Sequence, residues 1–387
     1  MGKVTVKVNK KNIKKTKENI EKNKSLTIIF LIVFVLITYF LVTNFKKIGI
    51  ITLSKEDIDY YNYIDIPYEK NTLIERYKNE ILIINQNKMY TVNGNGKITW
   101  ECEINNISDP LVSVEKDYIV LTNKDSSNYH IYKNKKEIVN NEITGKIKQI
   151  DINSNGKVCL IYSGEGYKAI LEIYDSNSKL ILKKPLESDI INNICFSNND
   201  RDVYYTDIEI NGTNTNTYLN NINIKDKQKK INNLIREESN MIYKLSLNNN
   251  ILYLQLTDSI KTISTNKNKS TTSLDWDKRQ VSFVDNDENY YSFVYKDNTK
   301  STKDNLEIYN LSNKMVAKVN LEVSPKNYSM YRGVVCVSSD KKIVLYNYFG
   351  KIIKEYNSKA NITETILFNN GKSLLFKIAN KIYIESL

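Results

Sequence analysis

The sequence is poor in the residue types from which metal and nucleophilic sites are usually built. Its 387 residues include one histidine, four cysteines and two tryptophans. The single histidine, His130, excludes a zinc site made of several histidines, and a Ser-His-Asp triad would have to use this one residue. It lies between Tyr129 and Ile131 in a run typical of a strand, so we interpret it as structural.

Cysteine chemistry is equally restricted. No two cysteines are spaced as Cys-x-x-Cys, and three of the four lie inside apolar runs, where cysteine commonly behaves as a small buried hydrophobe. We interpret these thiols as structural and expect no disulfides, because they are far apart in different repeat units. They are Cys102, Cys159, Cys195 and Cys336.

Glycine and proline, the usual turn residues, number only 12 and 4. Asparagine is abundant instead, and it tolerates the left-handed backbone conformation that tight turns need. The sequence can therefore form many turns with little glycine.

The positive charge is concentrated at one end. Residues 1–24 hold nine lysines and two glutamates, so +7 of the net charge of +12 belongs to this segment. Nucleic-acid binding would need basic residues gathered on one face of the folded domain. We therefore predict no nucleic-acid partner.

One uncharged run of 20 residues, Leu26 to Phe45, follows this basic segment. At about 1.5 Å per residue it is long enough to cross the hydrocarbon core of a bilayer as a helix. A buried helix of a soluble protein is rarely apolar on every face over this length. No small-x-small cleavage site follows, so we predict an uncleaved signal anchor, with the lipid bilayer as partner of residues 26–45.

The lysines also predict the orientation of this anchor. Nine precede the apolar run, whereas only Lys46 and Lys47 follow it directly. By the positive-inside rule, residues 1–25 form a cytoplasmic tail, and residues 46–387 lie outside the cell membrane. The segment from Lys10 to Lys24 has two interpretations. Its lysines contact anionic lipid headgroups in addition to setting the topology, or they set the topology alone.

From about residue 71 onward, short apolar runs alternate with polar clusters. The runs are rich in β-branched and aromatic residues, as in Tyr118 to Thr122 and Lys157 to Tyr162. Such runs are typical of strands, and we predict no amphipathic helix after residue 71. The sequence therefore predicts a linker over residues 46–70 and an all-β domain over residues 71–387.

A hairpin phrase recurs along this domain. An apolar strand end is followed by Asn, Asp, Gly or Ser, which favour a turn, and then by a lysine and a returning strand. Clear copies are Val92–Ile98, Tyr174–Leu180, Tyr309–Met315 and Tyr346–Ile352, and weaker ones begin at Tyr132, Ile224, Ile263 and Tyr383. The mean spacing is near 42 residues, which is typical of a β-propeller blade. A β-sandwich would not be expected to keep one phrase at this period.

Eight copies predict eight blades, with seven as the alternative because the copies at Ile224 and Ile263 are poorly marked. The last unit is one strand short at the C-terminus. A strand from residues 48–68, such as Gly49–Leu53 or Tyr63–Ile66, would complete it and close the ring. Closure would protect two sheet edges that otherwise invite aggregation.

The phrase Gly96-Lys-Ile-Thr-Trp100 resembles the Gly-x-x-x-Trp turn of PQQ-like propeller repeats, and the segment from Gly350 to Tyr356 is a degenerate copy of it. The whole chain resembles an uncharacterised family of membrane-anchored propellers from clostridia and related Gram-positive bacteria. This resemblance implies a location and a fold. Residues that carry the repeat, with structural roles, are Gly96, Trp100, Tyr174, Tyr309, Tyr346 and Gly350.

Quinone chemistry is not expected from this resemblance. Quinoprotein dehydrogenases need calcium ligands and a catalytic carboxylate and usually carry a tryptophan in most blades, whereas here only Trp100 lies in a good copy of the motif. Asp151 to Gly156 matches the first half of an EF-hand loop, but Tyr162 stands where a glutamate is required. Glu101 and Glu103 share one strand face and are interpreted as solvated rather than as a glycosidase pair. No catalytic, cofactor or metal site is predicted.

These observations favour a binding or scaffold protein whose ligand is another envelope protein or a wall polymer. One alternative is a quinoprotein-like or glycan-active enzyme, which rests on fold analogy alone. Several carboxylates converging on the central channel would favour it. A further alternative is a transmembrane sensor with a cytoplasmic partner.

Overall fold

The computed structural model describes residues 55–58, 63–69 and 71–387, apart from residues 106, 165, 188–189, 198, 227, 229, 249, 266–270, 278 and 298–300. The predicted tail and the predicted membrane span, residues 26–45, lie outside these ranges. Within them, no helix has the length and apolar character needed to cross a bilayer.

The described chain is built almost entirely from strands, with one 3-10 turn at Asn369–Gly371. The first strands are β1 (Lys55–Asp57), β2 (Tyr63–Ile64), β3 (Leu73–Tyr77), β4 (Glu80–Ile84), β5 (Lys88–Val92), β6 (Ile98–Glu103), β7 (Pro110–Glu115), β8 (Tyr118–Asn123), β9 (Asn128–Lys133), β10 (Lys136–Glu142), β11 (Lys146–Ile152), β12 (Val158–Gly164), β13 (Tyr167–Tyr174), β14 (Leu180–Leu186), β15 (Ile191–Phe196), β16 (Asp202–Asn211), β17 (Asn214–Asn223) and β18 (Ile231–Glu238). They are followed by β19 (Ile242–Asn248), β20 (Ile251–Leu256), β21 (Ser259–Ser264), β22 (Thr271–Asp275), β23 (Gln280–Asn286), β24 (Tyr290–Lys296), β25 (Asn305–Asn310), β26 (Met315–Asn320), β27 (Asn327–Tyr331), β28 (Val334–Ser338), β29 (Lys342–Asn347), β30 (Ile352–Asn357), β31 (Ile362–Phe368), β32 (Ser373–Ile378) and β33 (Lys381–Ser386).

These strands form eight sheets, which are the blades of a propeller and are antiparallel apart from the pairing of β1. Blades 1 to 7 each contain four consecutive strands, from β3–β6 to β27–β30, and blade 8 contains β31–β33. First strands of neighbouring blades contact one another, as β7 does β11 and β11 does β15, so they line the centre of the ring. The predicted all-β, eight-bladed propeller is confirmed, and the seven-bladed alternative is wrong.

Each blade is apolar on both faces because it packs between two neighbours. Eight apolar clusters lie between the blades, one at each junction. In β28, for example, Val335 and Val337 pack against blade 6, whereas Cys336 between them packs against blade 8. This alternation explains why the strands read as continuous apolar runs rather than as alternating ones.

The recurring hairpin phrase forms the turn between the third and fourth strands of a blade. In blade 1, Asn93 Oδ1 accepts hydrogen bonds from the backbone N–H groups of Asn95 and Lys97, both at 3.0 Å. Gly96 has a φ of +78°; its N–H donates to Asn93 O and the N–H of Asn93 donates to Lys97 O, both at 3.0 Å, as in a turn with a G1 bulge. Asp175, Asn310 and Asn347 bind the equivalent amides in the other three clear copies. Asparagine thus supplies both the turn acceptor and, at Asn313, the left-handed residue.

Blade 8 is completed by the N-terminal segment. Strand β2 pairs antiparallel with β33, and β1 pairs parallel with the outer strand of blade 7. Beside β2, Ile64 and Ile66 pack in one apolar cluster with Ile81 of blade 1 and Phe368 of blade 8. The closing strand therefore comes from Tyr63–Ile66, one of the two segments that the sequence analysis proposed.

Arg76 of blade 1 reinforces this junction from the inner side. Its Nε donates to the carbonyl oxygen of Leu367 at 2.7 Å, and its Nη2 donates to Ser329 Oγ at 3.1 Å. Its guanidinium also lies 4.4 Å from the centre of the Tyr331 ring. One side chain thus joins blade 1 to blades 7 and 8.

Two equivalent turn glycines should differ in their tolerance of alanine. Gly96 and Gly350 both have positive φ angles, +78° and +75°, which an alanine adopts at a penalty of about 1–2 kcal/mol. A Cβ at Gly350 would lie 2.6 Å from Val319 Cγ2, whereas at Gly96 nothing lies closer than 4.0 Å. Gly350→Ala should therefore lower the free energy of unfolding by about 1–3 kcal/mol more than Gly96→Ala. Denaturant titration of both variants measures this difference, and equal losses would contradict it.

Candidate functional site

The six residues that carry the predicted repeat are spread over blades 1, 3, 6 and 7, and the structure does not bring them together. Trp100 packs edge-to-face against Tyr132 of blade 2, with ring centres 6.2 Å apart. Gly96 and Gly350 occupy the left-handed turn positions, and Tyr346 is buried between blades 6 and 7. None of these residues lines a common cavity.

Two of the repeat tyrosines bind buried glutamates. Tyr162 and Tyr174 donate to the carboxylate of Glu172 at 2.9 and 2.5 Å. In blade 6, Tyr295 and Tyr309 likewise donate to Glu307 at 2.6 and 2.8 Å, and Lys318 lies 3.2 Å from it. Burial alone would raise the pKa of Glu307, but these hydrogen bonds hold it below its usual value. Both glutamates are therefore saturated structural groups.

Other residues singled out from the sequence also have local partners. His130 Nδ1 lies 2.8 Å from Glu137 Oε1 on the outer part of blade 2. Glu101 pairs with Lys88 at 2.5 Å on the exposed face of the outer strand of blade 1. All four cysteines lie among the described residues, and their thiols are free.

The central channel contains carboxylates, but two of them hold the ring together. Asp151 Oδ1 accepts from Ser113 Oγ at 2.7 Å, and its Oδ2 accepts from the backbone N–H of Phe196 at 3.0 Å. Asp285 Oδ2 accepts from the backbone N–H of Met330 at 3.0 Å in the same way. Across the described part of the chain, no three His, Cys, Asp or Glu side chains are grouped so as to bind a metal ion.

A cleft between blades 3 and 4 has a volume of about 840 Å³. One wall is the hairpin of β16 and β17, which are ten residues each and the two longest strands described. Because Ile191 at the start of β15 already pairs with Asp207, the end of β16 extends beyond the inner strand. The hairpin tip, with Gly212 at a φ of +64°, therefore projects from the face of the ring.

Charged and aromatic side chains line this cleft. Blade 4 contributes Asp207 and Glu209 together with Tyr205 and Tyr218, and blade 3 contributes Glu187 and Lys168. Tyr218 donates to Glu209 Oε2 at 2.6 Å. With three carboxylates and one lysine, the cleft is acidic in a chain whose net charge is +12.

Asp207 is the most perturbed of these carboxylates. Its Oδ1 is buried and accepts no hydrogen bond from any residue that the structure describes. Burial, followed by the neighbouring charges of Glu209 and Glu187, raises the pKa of Asp207 to about 6, although a hydrogen bond from Asn220 opposes the shift. Burying a carboxylate oxygen that accepts no hydrogen bond is unfavourable for folding. Such groups concentrate in functional clefts.

Exposed apolar side chains surround the same cleft. Ile210 on the hairpin is 61% exposed, Ile190 before β15 is 38% exposed, and Tyr167 next to Lys168 is 52% exposed. Grouped apolar exposure beside a cleft is typical of an interaction surface rather than of a solvated blade.

Sequence reasoning missed this cleft. The segment Asp207-Ile-Glu-Ile210 continues an ordinary strand pattern, and Lys168 and Glu187 lie in another repeat unit. The one available signal was the length of the two strands around Gly212, which exceeds that of the other hairpins. The extra length of these strands predicts that the hairpin tip projects from the blade, but it does not predict which residues of the neighbouring blade face the tip.

The family model "Family of unknown function (DUF5711)" matches residues 54–385. The chain belongs to this family. No curated protein matches the sequence. Among solved structures, the C-terminal WD40 domain of Sif2 has a TM-score of 0.55 at 11% identity, covering 84% of this chain and 99% of that one. Apo AztD from Citrobacter koseri has a TM-score of 0.51 at 10% identity, covering 76% and 88%. At these identities the likeness shows the propeller fold alone.

Replacing the partly desolvated carboxylate of Asp207 should stabilise the protein. The pKa of Asp207 is raised from 3.8 to about 6, so its favourable contribution is complete below pH 4 and is lost as the pH rises through 6. Asp207→Asn should therefore raise the free energy of unfolding by about 1–3 kcal/mol at pH 8. The gain should shrink between pH 6 and pH 4.

Denaturant titration at pH 8 and pH 4 tests this prediction, with Glu101→Gln as the control for an exposed carboxylate. A loss of stability in Asp207→Asn at pH 8 would show instead that the carboxylate is satisfied in the folded state.

Proposed function

We propose that this chain is a membrane-anchored, extracytoplasmic binding protein that serves as a scaffold, and that an envelope partner docks on the cleft between blades 3 and 4. The observation that carries the proposal is the acidic cleft of about 840 Å³, walled by a projecting hairpin with Ile210 exposed at its end. A rigid ring that presents one irregular surface is suited to binding.

The position of the N-terminal strands agrees with this proposal. Strands β1 and β2 lie on the outer edges of blades 7 and 8, which are half the ring away from blades 3 and 4. The first described strands of the chain therefore lie far from the cleft. A partner can reach the cleft without displacing these strands.

The channel geometry does not favour the enzymatic alternative. A glycan-active site would need two carboxylates positioned around a bond. Asp151 and Asp285 instead accept backbone hydrogen bonds from the next blade, which fixes them in a structural role. The sensor alternative rests only on the short N-terminal tail.

The proposed topology has a direct test with two epitope tags. In protoplasts, a tag after Leu387 should bind antibody before permeabilisation, whereas a tag before residue 1 should bind only afterwards. Deleting residues 1–45 should remove the protein from carbonate-washed membranes, because the predicted anchor is lost. The reverse labelling pattern would contradict the proposed orientation.

The docking surface can be tested by photo-crosslinking in cells. A photoreactive residue at Ile210 of the full-length protein should capture a specific envelope protein, because that side chain is 61% exposed beside the cleft. Phe349 is the matched control, since it is 60% exposed and lies in a turn on the opposite face of the ring. Adducts should be identified by mass spectrometry. The same adducts from both positions, or none from Ile210, would refute docking at this cleft.

A further inference from the structure

We infer that the cleft between blades 3 and 4 receives a basic, partly apolar peptide segment of the partner. This inference rests on the proposed function and adds the chemistry of the ligand. The observation that supports it is that acidic side chains line the cleft beside exposed isoleucines.

The acidic lining of the cleft favours a cationic group on the ligand. Among the described residues, the lining carries Glu187, Asp207 and Glu209 together with Lys168. The Arg236 guanidinium lies 5.8 Å from the centre of the lining Tyr218 ring. The buried Oδ1 of Asp207 accepts no hydrogen bond from the described residues, and it lies in the cleft wall. A lysine ammonium or an arginine guanidinium in the cleft would supply a charge opposite to that of these three carboxylates. The charge of the cleft is thereby matched by the ligand.

The surroundings of Asp207 select a peptide rather than a small ion. A metal ion is disfavoured because the described residues include no group of three suitable ligands. The volume of about 840 Å³ exceeds what one ion needs, and Ile190 and Ile210 expose apolar area beside the carboxylates. A basic segment whose side chains alternate between cationic and apolar would contact both the carboxylates and the exposed isoleucines. An anionic wall polymer would instead meet charge of its own sign.

The test uses the full-length protein in detergent and a dye-labelled, capped peptide, Gly-Lys-Leu-Lys-Leu-Lys-Gly, followed by fluorescence anisotropy. The peptide should bind, and its glutamate counterpart, Gly-Glu-Leu-Glu-Leu-Glu-Gly, should not. Affinity for the lysine peptide should fall as salt rises, because the attraction between charges is screened.

Three variants separate the contribution of the carboxylate charge to binding from that of the apolar contact. Asp207→Asn should weaken binding about tenfold or more, since one of the three carboxylate charges that line the cleft is lost. Ile210→Ser should weaken it as well, whereas Phe349→Ser on the opposite face should leave it unchanged. Because Asp207→Asn is expected to be more stable than the native chain, a loss of binding cannot be ascribed to unfolding.

The outcomes distinguish this inference from the proposed function. If Ile210 crosslinks a partner in cells but the lysine peptide binds no better than the glutamate peptide, the cationic ligand is refuted and docking at the cleft stands. If calcium alone binds, is lost in Asp207→Asn and displaces no peptide, the cleft is an ion site and the inference is wrong. Equal binding by the native chain and by Asp207→Asn would also overturn it.

Discussion

Closure of the ring between blades 8 and 1 is the constraint on which the rest of the structure depends. Every blade buries apolar side chains on both faces, so each needs two neighbours, and an open ring would expose two such faces together with two sheet edges. The N-terminal strand β2 completes blade 8, while Ile64 and Ile66 fill the junction with blade 1. Arg76 then fixes the inner strands of blades 7, 8 and 1 to one another.

A second device repeats around the centre of the ring. A polar side chain on the first strand of one blade accepts a hydrogen bond from a backbone N–H group on the first strand of the next blade. Ser113 Oγ accepts from Ile152 at 3.2 Å, and Ser329 Oγ accepts from Leu367 at 3.1 Å. Asp151 and Asp285 make the same contact with carboxylate oxygens. Backbone amides at blade junctions are thus satisfied by side chains, which keeps neighbouring inner strands in register.

The candidate site arises where one blade departs from the repeat. In blade 4, the hairpin of β16 and β17 is longer than the hairpins around it, so its end leaves the packed ring and forms the wall of the cleft. Asp207 lies where the pairing of β16 with β15 ends, with a buried oxygen that accepts no hydrogen bond within the described chain. The regular blades supply rigidity, and the irregular one supplies the surface on which a partner can bind.

The sequence by itself determined the strand class and the turn chemistry, and it predicted eight blades with seven as the alternative. These features are local: one asparagine or aspartate and one left-handed residue define each clear turn, and the turn recurs at the blade period. It also predicted that a segment from residues 48–68 would complete the last blade, with Gly49–Leu53 and Tyr63–Ile66 as the two candidates. Only the tertiary structure decided what the carboxylates do. Asp151 looks like part of a calcium loop in sequence, yet it binds the amide of Phe196 in the next blade. Asp207 owes its raised pKa to burial and to Glu209 and Glu187, the latter supplied by blade 3. The environment of a charge depends on residues that are distant in sequence, and their positions are set by the packing of one blade against the next.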